Sequence, residues 1–262
     1  MAFNMLLKDN LTIRNKKKLT GAGLVLAVVL FSGNIVMAQE KAKPEDTEVW
    51  KPVPQKVSPA TGNHAPSDAV VLFDGNSLEK WESANGGKAE WTVKDNILTV
   101  TPGTGDIRTK QNFTNFQLHV EWRSPAEIRG EGQGRGNSGI FLQGRYEVQV
   151  LDSYNNRTYS NGQAGSIYKQ AVPLVNPVLP PGEWQTYDII YTAPRFKEDG
   201  STESKALVTV LLNGVLVQHN FEIQGPTVYI GTPEYEAHGP GPIQLQDHGD
   251  LVSFRNIWIR EI

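Results

Sequence analysis

Leu207-Val-Thr-Val-Leu-Leu212, then Asn213-Gly214, then Val215-Leu-Val-Gln-His-Asn-Phe-Glu-Ile223 carries the plainest structural signal in this chain. Asn-Gly between two strand-like runs marks a two-residue hairpin turn, because both central positions demand positive φ and these residues accept it readily. The same pattern continues outward from that hairpin. Leu251-Val-Ser-Phe-Arg-Asn-Ile-Trp-Ile-Arg-Glu-Ile262 is a further strand, expected to close the structure near its beginning. Upstream, Phe116-Gln-Leu-His-Val-Glu-Trp-Arg123 alternates strictly. Phe116, Leu118, Val120 and Trp122 face a core, while Gln117, His119, Glu121 and Arg123 face away from it. Tyr146-Glu-Val-Gln-Val-Leu-Asp152 repeats the arrangement, with Glu147 and Gln149 on its polar face, and two such strands are expected to line one groove. From Ala69 onward, short runs of β-branched and aromatic residues are punctuated by Gly, Asn and Pro, with no useful helical period. The reading is an all-β antiparallel sandwich or barrel, one domain over 67–262, with no internal repeat.

The beginning of the chain reads differently. Arg14, Lys16, Lys17 and Lys18 precede the apolar run Gly21 to Phe31, and Val36-Met37-Ala38 supplies small residues for a signal peptidase. Residues 1–38 are therefore expected to be a cleaved signal peptide, which places the protein in the periplasm or outside the cell. The apolar run is interrupted by Ser32, Gly33 and Asn34 and is short of the roughly 20 apolar residues of a membrane span, so no stable membrane anchor is expected. Residues 39–66 hold five prolines and little apolar periodicity, the composition of a flexible linker. The chain has no cysteine, so neither disulfides nor thiolate metal sites contribute, and a hydrophobic core must hold the fold. Removing the leader takes five basic residues and one acid, moving the formal charge from −3 to −7. An acidic surface excludes nucleic acid as a partner, because that binding rests on phosphate neutralisation by Lys and Arg.

Several catalytic motifs are absent or out of context. Gly130-Glu-Gly-Gln-Gly-Arg-Gly136 has neither a Gly-Lys-Ser/Thr ending nor a following helix, so it reads as a mobile loop between strands and not as a phosphate cradle. No Gly-x-Ser-x-Gly elbow and no His-Glu-x-x-His pair is present. What remains is a set of polar residues at sheet-facing positions: His119, Glu121 and Arg123 on one strand, Glu147 and Gln149 on another, and Asp152 just beyond. Carboxylates among cations and amides on a sheet can serve as acid, base or sugar-hydroxyl acceptor, although one wet face is ordinary for an antiparallel sheet. Asn137-Ser138-Gly139-Ile140 leads from the glycine loop into a strand, and Gln244-Leu-Gln-Asp-His-Gly249 gathers Gln246, Asp247 and His248 in one turn. Turn chemistry accounts for either segment, while His248 is also a residue type suited to proton transfer near neutral pH.

Taken in order, these segments resemble a known family. Leu72-Phe-Asp-Gly-Asn-Ser-Leu-Glu-Lys-Trp81, the Glu121 and Arg123 strand, Asn137-Ser-Gly-Ile140, Tyr146 to Asp152, Pro181-Gly-Glu-Trp184, Leu212-Asn-Gly214, Pro242 to Gly249 and Phe254-Arg-Asn-Ile257 are similar to the 3-keto-disaccharide hydrolase domain family, from about Val70 to Ile262. The chain departs from the family pattern at Gln163-Ala-Gly-Ser-Ile-Tyr-Lys169, where a Thr-Gly pair and a glycine after the tyrosine are expected. The resemblance implies a concanavalin-like jelly roll and cleavage of 3-keto-glycosides. A ketone at C3 acidifies the C2 proton, so the C1 substituent can leave by elimination and water can add back. Such chemistry needs a base, an acid and a group to steady the enolate oxygen.

On that resemblance, Glu147 or His248 supplies base and acid, and Arg123 with Asn137 holds the oxyanion. Glu121, Gln149, Asp152, Tyr168 and Gln246 bind the substrate. The resemblance fixes no cofactor, and a divalent metal held by His and carboxylates could replace Arg123 as electrophile. Two alternatives stand beside this reading. Glu121 and Glu147, if on adjacent strands, could form the roughly 5 Å carboxylate pair of a conventional retaining glycoside hydrolase. A lectin-like carbohydrate-binding module would use an aromatic platform drawn from Trp91, Tyr154, Tyr168 or Tyr235. The oligomeric state is left open.

Overall fold

Alternation in sequence becomes alternation in burial along Leu207–Leu212, residue by residue. The computed structural model describes residues 41–62 and 64–262, so the leader read at 1–38 lies outside the described residues. The chain divides into one unit ending at Pro54 and another running from Gln55 to Ile262. Of the first, residues 41–54 are exposed throughout, with one short 3-10 turn at Pro44–Thr47. The second begins ahead of the boundary that composition set at residue 67. Ser58 and Ser67 exchange hydrogen bonds, and Thr61 pairs with His64, so residues 55–66 fold back on themselves. Among the described residues no helix is long and apolar enough to cross a membrane.

The larger unit is an antiparallel β-sandwich. Its strands are β1 (Val70–Phe73), β2 (Trp81–Ser83), β3 (Thr92–Lys94), β4 (Ile97–Thr99), β5 (Ile107–Thr109), β6 (Phe116–Arg123), β7 (Ser138–Leu142), β8 (Tyr146–Val150), β9 (Gln185–Thr192), β10 (Arg195–Phe196), β11 (Thr202–Ser204), β12 (Leu207–Leu212), β13 (Val215–Glu222), β14 (Gln244–Leu245) and β15 (Ser253–Glu261). One sheet runs β13-β12-β9-β6-β15-β4-β3, with β1 also paired to β15; the other runs β2-β5-β14-β7-β8; β10 and β11 form a separate ribbon. The hairpin around Asn213 (φ 53°) and Gly214 (φ 75°) forms as expected, and its inner pair Leu212 and Val215 sits directly opposite. β15 closes the structure by lying between β6 and β4 and taking β1 as well.

The two sheets meet through the apolar faces of their strands. Phe116, Leu118, Val120 and Trp122 of β6 and Tyr146, Val148 and Val150 of β8 all face the shared core. Tyr187 and Tyr191 of β9 bridge the sheets. The Tyr187 hydroxyl donates to the Gln149 carbonyl at 2.6 Å, the Tyr191 hydroxyl donates to Gln143 Oε1 at 2.9 Å, and the Tyr191 ring lies 6.0 Å from that of Tyr146. These tyrosines bury large apolar rings, each favourable by about 1.5–3 kcal/mol, without leaving a hydroxyl unpaired. With the tyrosine-bridged faces inward, the polar faces of β6 and β8 point in opposite directions, away from each other.

Candidate active site

The outward face of the smaller sheet carries a row of directly opposed residues. Glu82 on β2 faces Arg108 on β5, Arg108 faces Gln244 on β14, Gln244 faces Phe141 on β7, and Phe141 faces Glu147 on β8. β8 is the sheet edge, and a returning segment covers it. Gln149 N donates to the Ser166 carbonyl, Gly165 N to that of Gln149, and Tyr168 N to that of Glu147. Thr227 Oγ1 accepts from Glu147 N at 2.9 Å. A face that alternation alone would leave wet is therefore walled in: every residue of β8 is buried, and Glu147 is 4% exposed.

Above this floor lies a cavity of about 680 Å³, within the size range of small-ligand sites. Glu147 is the one carboxylate among its described lining residues. Its side chain lies over Gly139, where an added Cβ would come within 2.5 Å of Oε1 and 3.1 Å of the two carbons behind it. The missing side chain at 139 thus makes the berth for the carboxylate. Among the described residues neither carboxylate oxygen has a hydrogen-bond donor. Burial, with a smaller contribution from the charge of Asp106, pushes the Glu147 carboxyl up to about 8.

Amides and hydroxyls supply the rest of the lining. Gln149 Nε2 donates to Gln133 Oε1 (3.1 Å) and Asn137 Oδ1 (3.2 Å), while Asn137 Nδ2 donates to the Gln133 carbonyl at 2.6 Å. Gln149 Oε1 and Gln246 Oε1 are buried acceptors without a donor. Each such orphan costs about 1–3 kcal/mol, which a ligand rich in hydroxyl donors would relieve. His248 stands exposed at the rim in a turn fixed by carboxylates. Asp247 N donates to Asp106 Oδ1 at 2.8 Å, Asp247 Oδ2 accepts from Gly103 N and Gly105 N, and Asp250 Oδ2 accepts from Asn137 N. Tyr159 and Tyr168 share a 2.6 Å hydroxyl contact on the opposite wall. Burial raises the Tyr168 phenol above its usual range, so it stays protonated.

Residues 68–260 match the 3-keto-alpha-glucoside-1,2-lyase-like domain. The chain belongs to that family. A 3-keto-disaccharide hydrolase of Bacteroides thetaiotaomicron is 25% identical over 268 residues, covering 85% of this chain and 89% of that protein. A crystal structure of a candidate glycosyl hydrolase from Parabacteroides distasonis is 57% identical, covers 84% of this chain and 97% of its own, and superposes with a TM-score of 0.81. A second candidate glycosyl hydrolase from the same organism is 25% identical, covers 74% and 94%, and reaches a TM-score of 0.55.

Within this lyase-like domain the cavity brings together Glu147, His248, Asn137, Gln149, Tyr168 and Gln246. The other three candidates lie elsewhere. Glu121 and Arg123 are on β6, in the opposite sheet, so the single groove expected from the two polar strand faces does not form. Glu121 accepts from Arg255 Nε at 2.6 Å and from Asn256 Nδ2 at 2.8 Å, and the Arg123 guanidinium lies 4.7 Å from the Trp184 ring centre. The same separation removes the Glu121–Glu147 carboxylate pair of the alternative retaining-hydrolase reading, because β6 and β8 are not neighbours. Asp152 is 2% exposed and locked 2.7 Å from Arg135 Nε, lining a different, smaller cavity.

The family's sequence pattern left other lining residues unnoticed. Gln133 and Gly134 belong to the glycine loop read as mobile, yet that loop is tied down: Gly132 N donates to Asn156 Oδ1, Asn156 Nδ2 donates back, and Gln133 Nε2 donates to Thr158 Oγ1 and the Gly162 carbonyl. Tyr159, Thr227 and Tyr229 come from irregular segments where no periodicity marks them. Lys169, at the departure from the family pattern, has φ 60°, the left-handed region that favours glycine. Its ammonium donates to the Tyr229 carbonyl at 2.6 Å and sits 4.0 Å from the Tyr229 ring centre. Among the described residues no group of three or more His, Asp or Glu side chains is arranged to hold a metal ion, so the donor set for the metal alternative does not fit.

Proposed function

We propose that this chain is an exported carbohydrate-active enzyme that cleaves glycosides already oxidised at C3, with Glu147 as the base. One observation carries this reading: a buried carboxylate without hydrogen-bond donors, pushed up to about 8, stands alone among amides and hydroxyls on a cavity floor. An ordinary glycosidase needs two carboxylates flanking the bond. A proton beside a ketone needs a single base of raised pKa, since a carboxylate held near 8 takes a proton more strongly than an ordinary one.

Glu147 takes the C2 proton, and the C2–H electron pair forms the enolate across C2 and C3. The enolate collapses, a C1–C2 double bond forms, and the C1–O bond breaks with its electrons leaving on the aglycone oxygen. His248, at the rim, supplies the proton that converts this oxygen into an alcohol. Water then adds across the C1–C2 double bond, its oxygen to C1 while His248 takes a proton from it and Glu147 returns its proton to C2, which gives the free 3-keto sugar and restores both groups. Negative charge passes from the carboxylate to the C3 oxygen, and Gln246, whose side-chain amide has no partner among the described residues, is the group that can donate to it. Asn137 and Gln149 hold hydroxyls. Export rests on the leader at 1–38, and full-length expression with N-terminal sequencing of the exported form tests it.

The decisive experiment compares a chromogenic 3-keto-glucoside with its unoxidised parent, following C2 by NMR in D₂O. Turnover of the keto compound alone, with exchange or loss of the C2 proton, is the expected result. Equal turnover of the parent without exchange would defeat the elimination, and absence of any turnover would leave a sugar-binding module.

A further inference from the structure

Another cavity, of about 330 Å³, is lined by Glu82 and Arg108 of the cross-strand row that leads to Glu147, by Gln143 and Arg145 at the turn between β7 and β8, and by the segment from His238 to Pro242. Its walls carry Arg108, Lys110 and Arg145 against a single carboxylate, Glu82. This local excess of positive charge runs against the chain as a whole, whose formal charge is −3. Arg108 gives only its Nε to Glu82 Oε1, at 2.9 Å, and Lys110 Nζ donates to the Glu79 carbonyl at 2.6 Å. The Arg145 guanidinium is exposed and has no hydrogen-bond or ion-pair partner among the described residues. Burial lowers the His238 imidazole on the same wall against the opposing hydrogen bond of its Nδ1 with the Gly239 carbonyl at 2.8 Å, and the Tyr146 hydroxyl lies 2.6 Å from its Nε2. Uncommitted guanidinium donors lining a cavity are the usual means of gripping a carboxylate or sulfate.

Register ties this cavity to the catalytic one. Arg108 lies in the same cross-strand row as Glu147, three strands away through Gln244 and Phe141, or about 14 Å at the backbone from the usual strand spacing. Arg145 precedes Glu147 by two residues in the β7–β8 hairpin, about 7 Å along the chain. A sugar with C2 over Glu147 and its C1 substituent directed along this row would bring that substituent to the basic wall.

We propose that the second cavity is a subsite for an anionic leaving group, of which a uronic acid linked through its hydroxyl to C1 is the carbohydrate form. The inference rests on the proposed cleavage at Glu147 for its orientation, and on the charge and position of Arg108 and Arg145 for its chemistry. The test uses two 3-keto-disaccharides that differ only in the leaving sugar, glucose or glucuronate, with wild type, Arg145→Gln and Arg108→Gln. Wild type is expected to favour the glucuronate in kcat/KM by tenfold or more at low salt. That ratio should fall towards one in either variant and as salt rises. Equal kcat/KM for both sugars in the wild type, or a ratio unchanged by both variants, would overturn the proposal. A second arm keeps it separate from the chemistry: NMR titration of the unoxidised disaccharides into Glu147→Gln reads binding alone. Tighter, salt-sensitive binding of the glucuronate supports the subsite even if no 3-keto compound reacts, and indifference to the carboxylate sinks it even if both react.

Discussion

Glu121 and Glu147 occupy matching places, each on the outward side of a strand whose other side packs the core, yet the protein drives them apart in chemistry. At Glu121 burial opposes ionisation, but His119, Asn256 and Arg255 outweigh it and hold the carboxyl down at about 2. His119 answers in kind: burial would lower it, while the hydrogen bonds and charges of Asp188 and Glu121 raise it to about 9, with Trp258 stacked 5.0 Å away. Glu121, His119, Asp188 and Arg255 are paired with one another, and the Trp184 ring centre lies 4.7 Å from the Arg123 guanidinium and 4.1 Å from that of Arg255. At Glu147 burial meets no such compensation. A fully partnered carboxylate stabilises a sheet; an unpartnered one costs stability and is ready to accept a proton.

The comparison breaks most sharply at Glu147 itself. Glu147→Gln should lower kcat on 3-keto-glycosides by about a thousandfold, in the range for loss of a general base, with the fold intact by circular dichroism. The same variant should be more stable than wild type in alkali. A carboxyl raised from 4.5 to about 8 contributes stability that is complete below 4.5 and lost as pH rises through 8, a few kcal/mol in all. Unfolding midpoints of the two proteins should therefore converge near pH 4 and separate by pH 8.5, while wild-type kcat/KM rises with pH towards 8. A variant no more stable than wild type at pH 8.5 would mean that the carboxylate is better solvated than its burial indicates.

A smaller effect is expected from moving the carboxylate without removing it. Gly139→Ala places a methyl group 2.5 Å from Oε1, too close for the carboxylate to stay where it is, and should cost about 10- to 100-fold in kcat with less change in KM, because displacement of a reacting group acts on the transition state. Full activity would show that the berth over Gly139 is not the working position.

The smallest effect on activity is expected at the compensated carboxylate. Glu121→Gln should leave 3-keto-glycoside turnover unchanged and cost about 1–3 kcal/mol at pH 7, read by urea denaturation, since it strips a counter-charge from His119 and Arg255. Because Glu121 is depressed, its contribution is present above 4.5 and lost as pH falls through about 2, so the difference from wild type should shrink in acid. Loss of turnover in this variant would put the larger sheet back into the chemistry.

Much of this architecture was legible before any coordinates. Asn213-Gly214 named its hairpin, and the alternation in Phe116–Arg123 and Tyr146–Val150 separated core from polar positions residue by residue, because Cβ direction reverses at every step of a strand. Glu147 and Gln149 could be singled out for the same reason, whereas Asn137 and Gln246 lie in loop and turn segments and were marked only by the family resemblance. Alternation fixes which side of its own strand a residue takes, but it says nothing about which sheet the strand joins. That is decided by long-range pairing, β6 with β9 and β15, β8 with β7, which placed Glu121 and Glu147 on opposite exteriors. Nor does it say how dry a face will be. Gly165–Tyr168 closing the edge of β8, the glycine loop pinned by Asn156, and Thr227 and Tyr229 brought in from distant sequence bury the outward face around Glu147. Local sequence thus determined the strands and their polar sides, while only the tertiary structure decided which carboxylate would find partners and which would be left buried without them, because solvation and charge pairing depend on neighbours remote in the chain.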